Sequence, residues 1–128
     1  MLDQAVELWG HTGLTRPWND PHDDARRAMN GPASTILAGI DGETLVATAM
    51  VGHDGHRGWV YYLAVAPSAQ GRGHGRAIMQ ACEAWLLHHD VPKLNLMIRG
   101  DNIDARAFYQ ALAYEPDDVI VLSRRLQR

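Results

Sequence analysis

The sequence predicts an α/β fold, or α+β by some schemes, with a mixed central sheet flanked by helices. Two segments rich in β-branched and small apolar residues, 34–40 and 44–52, are separated by Asp41-Gly42, a pair typical of tight hairpin turns. A near-continuous apolar strand at 59–65 is followed by an amphipathic helix and then by the apolar segment 94–98. A strand–helix–strand connection of this kind implies parallel pairing. The sheet should therefore combine antiparallel hairpins with one parallel pair.

The remaining segments predict three more helices and one more strand. Apolar residues at helical spacing predict a helix over 2–10, and a short polar helix over 22–30 follows a loop with two prolines. A last helix is expected over 103–112 and a final strand over 119–122. The sequence shows no repeat, linker or low-complexity tract, so its 128 residues should form one domain.

Composition excludes several classes of partner. The formal net charge of -3 supplies no general electrostatic reason to bind nucleic acid or an anionic membrane. Cys82 is the only cysteine, so no intrachain disulfide can form and a reducing cytoplasm is the simpler interpretation. The acidic first residues are unlike a signal peptide, and no apolar stretch is long enough to span a bilayer. We therefore expect a soluble, cytoplasmic protein.

The segment Gln70-Gly71-Arg72-Gly73-His74-Gly75 is a glycine-rich loop between a buried strand and a helix. Glycines there let the backbone approach a ligand and leave the N–H groups of the first helical turn available to it. His74 and Arg76 occupy that turn and Arg72 precedes it, without an acid, although the helix dipole favours acids there. This pattern favours an external anion such as a phosphate or pyrophosphate. The alternative is a flexible turn with solvated arginines.

The form of the loop separates it from two common nucleotide sites. No Lys-Ser or Lys-Thr follows the glycines, as a P-loop requires, and no acid near position 95 ends the next strand, as a dinucleotide-binding fold requires.

A second motif lies downstream, Asn102-x-x-Ala105-x-x-Phe108-Tyr109-x-x-Leu112-Ala113-Tyr114. Together with Gln70-x-x-Gly73-x-Gly75 after Leu63-Ala64-Val65-Ala66-Pro67, it resembles the GCN5-related N-acetyltransferase (GNAT) family. More narrowly, segments 14–21, 54–58 and 61–63 resemble a YpeA-like bacterial subgroup, so that the resemblance covers nearly the whole chain.

The resemblance implies acetyl-CoA as cosubstrate and no metal. Its pyrophosphate is expected on the amides of 70–75, and its pantetheine along the backbone of the strand 59–65. In the family this strand and the next, the fourth and fifth, splay apart around the thioester, and Leu63 N–H is expected to stabilise the developing oxyanion. The residues expected to contact the cosubstrate are Leu63, Val65, Gln70, Gly71, Arg72, Gly73, His74, Gly75, Arg76, Asn102, Ala105 and Tyr109.

The resemblance also implies a general acid. Direct attack by an amine in a ternary complex needs a group that protonates the departing thiolate, and a tyrosine suits a thiol. Tyr109 occupies that position by motif, alongside Leu63 as the second expected catalytic residue. Packing of Tyr109 beside Phe108 is the structural alternative, and Asn102 also reads as a helix N-cap.

The general base and the acceptor are less well specified by the sequence. The segment 59–65 contains no acid, so Tyr61 or Tyr62 could order a water relay, or Asp20 or Glu43 could enter from loops. The acceptor is expected to be a primary amine, on a small molecule or a protein N-terminus. The candidate acceptor-binding residues are Trp18, Asn19, Asp20, His56 and Tyr61; alternatively, the loop that carries the first three only packs on the core.

Two side-chain groups are expected to be structural. Cys82 lies on the apolar stripe of its helix and should belong to the core, since no neighbour in sequence would stabilise a thiolate. His88 and His89 point apart at a helix end, where cations suit the dipole, so they favour a C-terminal cap over a metal site.

Two features depart from the family's pattern. Members begin with a strand, whereas this chain starts almost directly in a helix, which leaves 34–40 as an open edge. Open edges tend to pair, so we expect a homodimer or a longer native gene product. Ala113 replaces the usual glycine where a left-handed backbone is expected. Since the base is missing, a non-catalytic acyl-CoA sensor is the alternative function, and a scaffold whose loop binds nothing is a third.

Overall fold

The structure, a computed structural model, describes residues 1–126. The chain divides into two compact units, Met1–Met97 and a second that begins at Ile98. A single 3-10 turn, Pro67–Ala69, precedes the glycine-rich loop. The helices and strands in chain order are α1 (Leu2–His11), α2 (Pro21–Asn30), β1 (Ser34–Asp41), β2 (Thr44–His53), β3 (Gly58–Val65), α3 (His74–His88), β4 (Leu94–Leu96) and α4 (Ile103–Ala111).

The first unit contains the predicted mixed sheet, with the strand order β1-β2-β3-β4. The pairs β1/β2 and β2/β3 are antiparallel, and β3/β4 is parallel, as the helical crossover implies. β4 pairs only with residues 58–60 of β3 and ends at Leu96, two residues before the predicted end. Beyond Val60 the two parallel strands no longer pair, which is the expected splay. β1 lies at the edge of this sheet, as predicted.

A β-bulge interrupts β3 beside this splay. Thr48 of β2 pairs with Ala64 and Met50 pairs with Tyr61, so Ala49 faces two residues, Tyr62 and Leu63. Tyr62 has a φ of 53°, in the left-handed region that a bulky residue rarely adopts. The bulge therefore requires support from the surrounding packing.

α1 supplies that support through Trp9, which is fully buried. The Trp9 indole stacks on the Tyr62 ring with centroids 4.2 Å apart, and its Nε1–H donates to Thr48 Oγ1 at 2.8 Å. The Thr48 hydroxyl in turn donates to the Tyr62 carbonyl oxygen at 3.2 Å. A buried hydrogen-bonded chain thus holds both the ring and the backbone of the bulge residue.

α3 packs its apolar stripe on the sheet. Ile78, Met79, Cys82 and Leu86 are buried, as the helical spacing predicts for Cys82. Burial raises the pKa of the Cys82 thiol to about 12, so the thiol stays protonated and unreactive at neutral pH. At the end of α3 the His89 ring stacks on Trp85, with centroids 3.9 Å apart, and its Nδ1 lies 2.8 Å from the Trp85 carbonyl oxygen.

Gly58 of β3 packs closely against Leu86 of α3, and this contact supports a stability prediction. A Cβ at this position would lie 2.5 Å from Leu86 Cδ1, and Leu86 is itself buried. We expect Gly58→Ala to lower the free energy of unfolding by about 1–3 kcal/mol through overpacking, measured by urea denaturation. Gly10→Ala is the matched control, because nothing lies within 4 Å of its added Cβ and alanine favours the helix there. Equal midpoints for the two variants would contradict the prediction.

The second unit contains α4, whose ends follow standard capping rules. The Asn102 side chain accepts from Ala105 N–H at 3.1 Å, which confirms its interpretation as an N-cap. At the other end, Ala113 N–H bonds to Gln110 O and Tyr114 N–H to Tyr109 O, the two bonds of a Schellman motif. Ala113 has a φ of 69°, so the left-handed backbone expected at this position is kept without the glycine.

The Schellman motif predicts a stabilising substitution. A residue other than glycine has a steric cost of about 1–2 kcal/mol in the left-handed region. Replacing it by glycine removes this cost but also makes the unfolded chain more flexible, which offsets part of the gain. Ala113→Gly should therefore raise the free energy of unfolding by about 0.5–1 kcal/mol, measured as an upward shift in Tm. Gly substitution of the neighbouring helical Ala111 should shift Tm downward, and a downward shift for both would show that Ala113 is not strained.

The predicted strand over 119–122 is wrong. These residues adopt no regular structure, and their four side chains are exposed, from 59% for Val121 to 86% for Leu122. A strand requires a partner for its backbone N–H and C=O groups, and no described strand pairs with this segment. An apolar, β-branched sequence has residue types that suit a strand, but it does not supply the pairing partner.

Candidate functional site

The glycine-rich loop joins the 3-10 turn to α3 with two left-handed residues. Gly71 and Gly73 have φ values of 78° and 82°, and a Cβ at either position would meet nothing within 4 Å. Both positions have space for a side chain, but residues other than glycine rarely adopt this left-handed backbone conformation. Glycine is therefore favoured there for its conformation. Gln70 reaches back to β3 through a long contact of 3.5 Å from Nε2 to Val65 O.

The first turn of α3 is left open for an anion. Gly73 is the N-cap and has no side chain to cap the helix, and the turn contains no acid. The first helical bond runs from Ala77 N–H to Gly73 O at 3.0 Å, so the N–H groups of residues 74–76 have no acceptor within the helix. Free N–H groups at the positive end of a 15-residue helix dipole favour a bound phosphate.

The splayed part of β3 leads directly into this loop. Residues 61–65 extend past the last β4 pair at Val60 and include the bulge at Tyr62 and Leu63. Their outer backbone edge therefore offers N–H and C=O groups to an extended ligand. Leu63 lies in this stretch, three residues past the last β4 pair.

A cavity of about 600 Å³ lies among α2, β2, β3 and the loops near them. Its polar and aromatic lining includes Asn19, Asp24, Asp54, Trp59, Tyr61 and Tyr62. A volume of this size suits a small molecule or the end of a peptide.

Asp24 of α2 and Tyr62 of β3 are joined inside this cavity. Tyr62 O–H donates to Asp24 Oδ2 at 2.7 Å, a short charge-assisted bond across 38 residues of sequence. Burial and the Asp24 carboxylate together raise the pKa of Tyr62 well above its usual value, so its hydroxyl remains a donor. The side chain of Asp24 is 24% exposed, which leaves it accessible from the cavity.

The comparisons with known proteins identify the family. Residues 3–114 match the model of the Acetyltransferase (GNAT) family. The chain belongs to the GNAT family. An acetyltransferase of Yersinia pestis (strain Pestoides F) is 42% identical over 126 residues, covering 98% of this chain and 89% of the relative. An acetyltransferase of Sodalis glossinidius is 42% identical over 127 residues, with the same coverage of both chains, 98% and 89%.

A solved structure shares the fold. AAC(6')-Iy in complex with the bisubstrate analog CoA-S-monomethyl-acetylneamine superposes with a TM-score of 0.81 at 15% identity, covering 97% of this chain and 90% of that one. The predicted family and fold are confirmed. As a GNAT protein, the chain is an acyl-CoA-dependent N-acetyltransferase that uses acetyl-CoA as cosubstrate. The uncapped helix and the unpaired edge of β3 suit the pyrophosphate and the extended pantetheine of that molecule.

The residues expected to form the GNAT site belong to both units. Leu63, Val65 and residues 70–76 belong to the first unit and follow one another along β3, the loop and α3. Asn102, Ala105 and Tyr109 belong to the second unit, where Asn102 caps α4 and Ala105 lies in its first turn. Tyr109 is buried, with ring centroids 4.9 Å from Phe108 and 5.8 Å from Tyr114.

Two of the five residues expected to bind the acceptor line the cavity, namely Asn19 and Tyr61. Trp18 is 56% exposed in the preceding loop. Asp20 is the N-cap of α2, where it accepts from the N–H groups of His22 and Asp23, and these bonds hold the pKa of its carboxyl below the usual value. His56 lies at an exposed turn, where its N–H donates to Asp54 Oδ1 at 2.9 Å.

Asp24 is not among the residues that the sequence predicts for the site, because it lies in a segment that predicts only a polar helix. The buried residues of α2 are Ala25 and Ala28, and Asp24 adjoins the first and precedes the second by one helical turn. This spacing was available in the sequence and could have placed an acid beside the core. The hydrogen bond to Tyr62, by contrast, depends on tertiary contact.

Within residues 1–126, no group of three or more His, Cys, Asp or Glu side chains is arranged to hold a metal ion. Over the same residues, none of the helices has the length and apolar character needed to cross a bilayer.

Proposed function

We propose that this protein transfers the acetyl group of acetyl-CoA to a primary amine by direct attack in a ternary complex. The observation that carries the proposal is the continuity of three features along the chain: the bulge at Tyr62 and Leu63, the unpaired edge of β3, and the uncapped start of α3. This arrangement offers one ligand an oxyanion donor, a strand-like edge and an anion site in sequence. The acceptor is a small molecule or a protein N-terminus.

We propose the following roles for the acetyl-CoA contacts. The amides of residues 70–75 hold the pyrophosphate, with Arg76 as a further donor, because they surround the open end of α3. The backbone of Leu63 and Val65 pairs with pantetheine along the edge that β4 leaves free. Asn102, Ala105 and Tyr109 contribute from α4, by their places in the second motif.

The chemistry follows from two residues. Leu63 N–H stabilises negative charge on the carbonyl oxygen as the amine nitrogen forms its bond to the acetyl carbon. The nitrogen loses a proton to water, the C–S bond breaks, and Tyr109 donates its proton to the departing thiolate sulfur before it is reprotonated by solvent. The family match over residues 3–114 runs through both units, which supports one GNAT domain over 1–128.

A panel of amines tests the proposed reaction. Free thiol released from acetyl-CoA is measured with alkylamines, aralkylamines and short peptides with free N-termini, and acetylated product is confirmed by mass spectrometry. We expect turnover that requires both substrates. Double-reciprocal plots of the initial rate should give intersecting lines, as a sequential mechanism predicts. Tight CoA binding without turnover on any amine would instead favour the acyl-CoA sensor.

We also propose that copies of the chain form a homodimer through β1, and that the protein is cytoplasmic. The open edge of β1 supports the first proposal, since an unpaired strand edge is a template for another strand. Light scattering is expected to show a dimer, and a stable monomer at micromolar concentration would count against it. The single, buried Cys82 supports the second.

A further inference from the structure

The cavity beside the bulge contains two carboxylates, and one of them already accepts three hydrogen bonds from its own turn. Asp54 Oδ1 accepts from the N–H groups of His56 and Arg57 at 2.9 and 2.8 Å, and its Oδ2 lies 3.3 Å from Trp59 Nε1. These bonds hold the pKa of Asp54 below its usual value. Asp54 is therefore used in shaping the turn before β3.

The second carboxylate, Asp24, keeps one oxygen available. Its Oδ2 accepts the Tyr62 hydroxyl, whereas its Oδ1 has only a long contact of 3.4 Å with Arg27 Nη2. The Arg27 side chain is 71% exposed, and an exposed ion pair at such a distance contributes little to stability. A carboxylate has about four lone-pair positions, so Asp24 can accept further hydrogen bonds from the N–H groups of a bound cation.

The cavity wall next to Asp24 is aromatic. Trp59, Tyr61 and Tyr62 line it, and the Tyr61 side chain is 43% exposed. Aromatic faces attract an ammonium group and also accommodate apolar surface. The basic residues of the lining are Arg27 and His53.

The position of Asp24 is coupled to the bulge. Tyr62, which donates to Asp24, directly precedes Leu63, the proposed oxyanion donor, and its own backbone is held by the chain from Trp9 through Thr48. A group bound to Asp24 is thus linked, through the Tyr62 hydroxyl, to the residue that precedes the proposed oxyanion donor.

Building on the proposed acetyl transfer, we propose that Asp24 binds the ammonium group of the acceptor. The acceptor class is a cationic primary amine with an apolar or aromatic body, which packs against Trp59 and Tyr61. Tyr62 is a positioning residue, because it orients the Asp24 carboxylate through its hydroxyl and touches the acceptor's charge only through that carboxylate.

Binding of two matched probes tests the site without relying on turnover. Phenethylamine and 2-phenylethanol differ only in an ammonium in place of a hydroxyl, and each is titrated calorimetrically into the protein saturated with CoA. We expect the native protein to bind phenethylamine roughly 10- to 100-fold more tightly, the range that a hydrogen bond to a charged group provides. No measurable binding of phenethylamine at millimolar concentration would overturn the proposal.

Asp24→Asn should reduce this preference to within about threefold, because a neutral amide retains an acceptor for the Tyr62 hydroxyl but loses the charge. Asp23→Asn is the control, since Asp23 forms the same i,i+3 pair with Arg26, at 3.5 Å, and does not line the cavity. Tyr62→Phe should lower the preference by a smaller factor. A preference unchanged in Asp24→Asn, with thermal melting showing a folded protein, would overturn the site.

Thiol release measured on the same proteins separates the two proposals. Ammonium-selective binding that depends on Asp24 but is never accompanied by acetyl transfer would contradict the proposed function and support the site. Turnover of amines with a KM that Asp24→Asn and Asp23→Asn leave equally unchanged would support the function and overturn the site.

Discussion

Trp9→Ala is expected to lower the free energy of unfolding by about 3–5 kcal/mol, the cost of removing a large aromatic side chain from a core. Trp9 is fully buried, stacks on Tyr62 and donates to Thr48. Since small domains are stable by only about 5–15 kcal/mol, this loss is a large fraction of the total stability. Urea denaturation followed by circular dichroism measures it.

Two further variants separate packing from hydrogen bonding at this site. Thr48→Val keeps the shape but leaves the Trp9 N–H without its partner, which should cost about 1–3 kcal/mol. Trp18→Ala removes the same type of side chain from a position that is 56% exposed, and should cost less than about 1 kcal/mol. If Trp9→Ala and Trp18→Ala shift the urea midpoint equally, Trp9 does not support the bulge as described.

Tyr109→Phe is expected to lower kcat by at least about 100-fold, because it removes the proton that we propose is given to the CoA thiolate. Phenylalanine keeps the ring contacts with Phe108 and Tyr114, so the packing of α4 should persist. The thermal shift caused by CoA should therefore remain close to that of the native protein. Steady-state kinetics with the best amine of the panel measures the loss.

Tyr114→Phe is the matched control for this experiment. Tyr114 follows the same helix and contacts the Tyr109 ring edge-on, but the second motif assigns it no proton to donate. We expect its kcat to stay within about threefold of the native value. Equal losses in both variants would point to packing of the helix end, and a Tyr109→Phe enzyme with native kcat would exclude Tyr109 as the acid.

Much of the sheet and of the candidate cosubstrate site was predictable because the signals are local. Asp41-Gly42 specifies a tight turn by the backbone that its own residues adopt, and Gly42 indeed has a φ of 65°. The start of α3 at His74 follows from Gly73 at the preceding position and from an apolar stripe within the helix itself. Such features need no information from distant parts of the chain.

The cavity beside the bulge was harder to predict because its contacts are distant in sequence. The bulge at Tyr62 depends on Trp9 and Thr48, and the Asp24–Tyr62 bond joins a helix to a strand that lies three elements later. Residues 119–122 show the converse, since a strand-like composition cannot supply its own pairing partner.

The sequence by itself determined the family, the mixed sheet and the glycine-rich start of α3, since turn chemistry, helical periodicity and motif spacing are properties of neighbouring residues. Only the tertiary structure decided where β3 bulges, where β4 stops pairing and which acid faces the cavity. Those outcomes depend on packing a buried indole against a strained tyrosine and on satisfying their polar groups, and both require residues about 40 positions apart to meet.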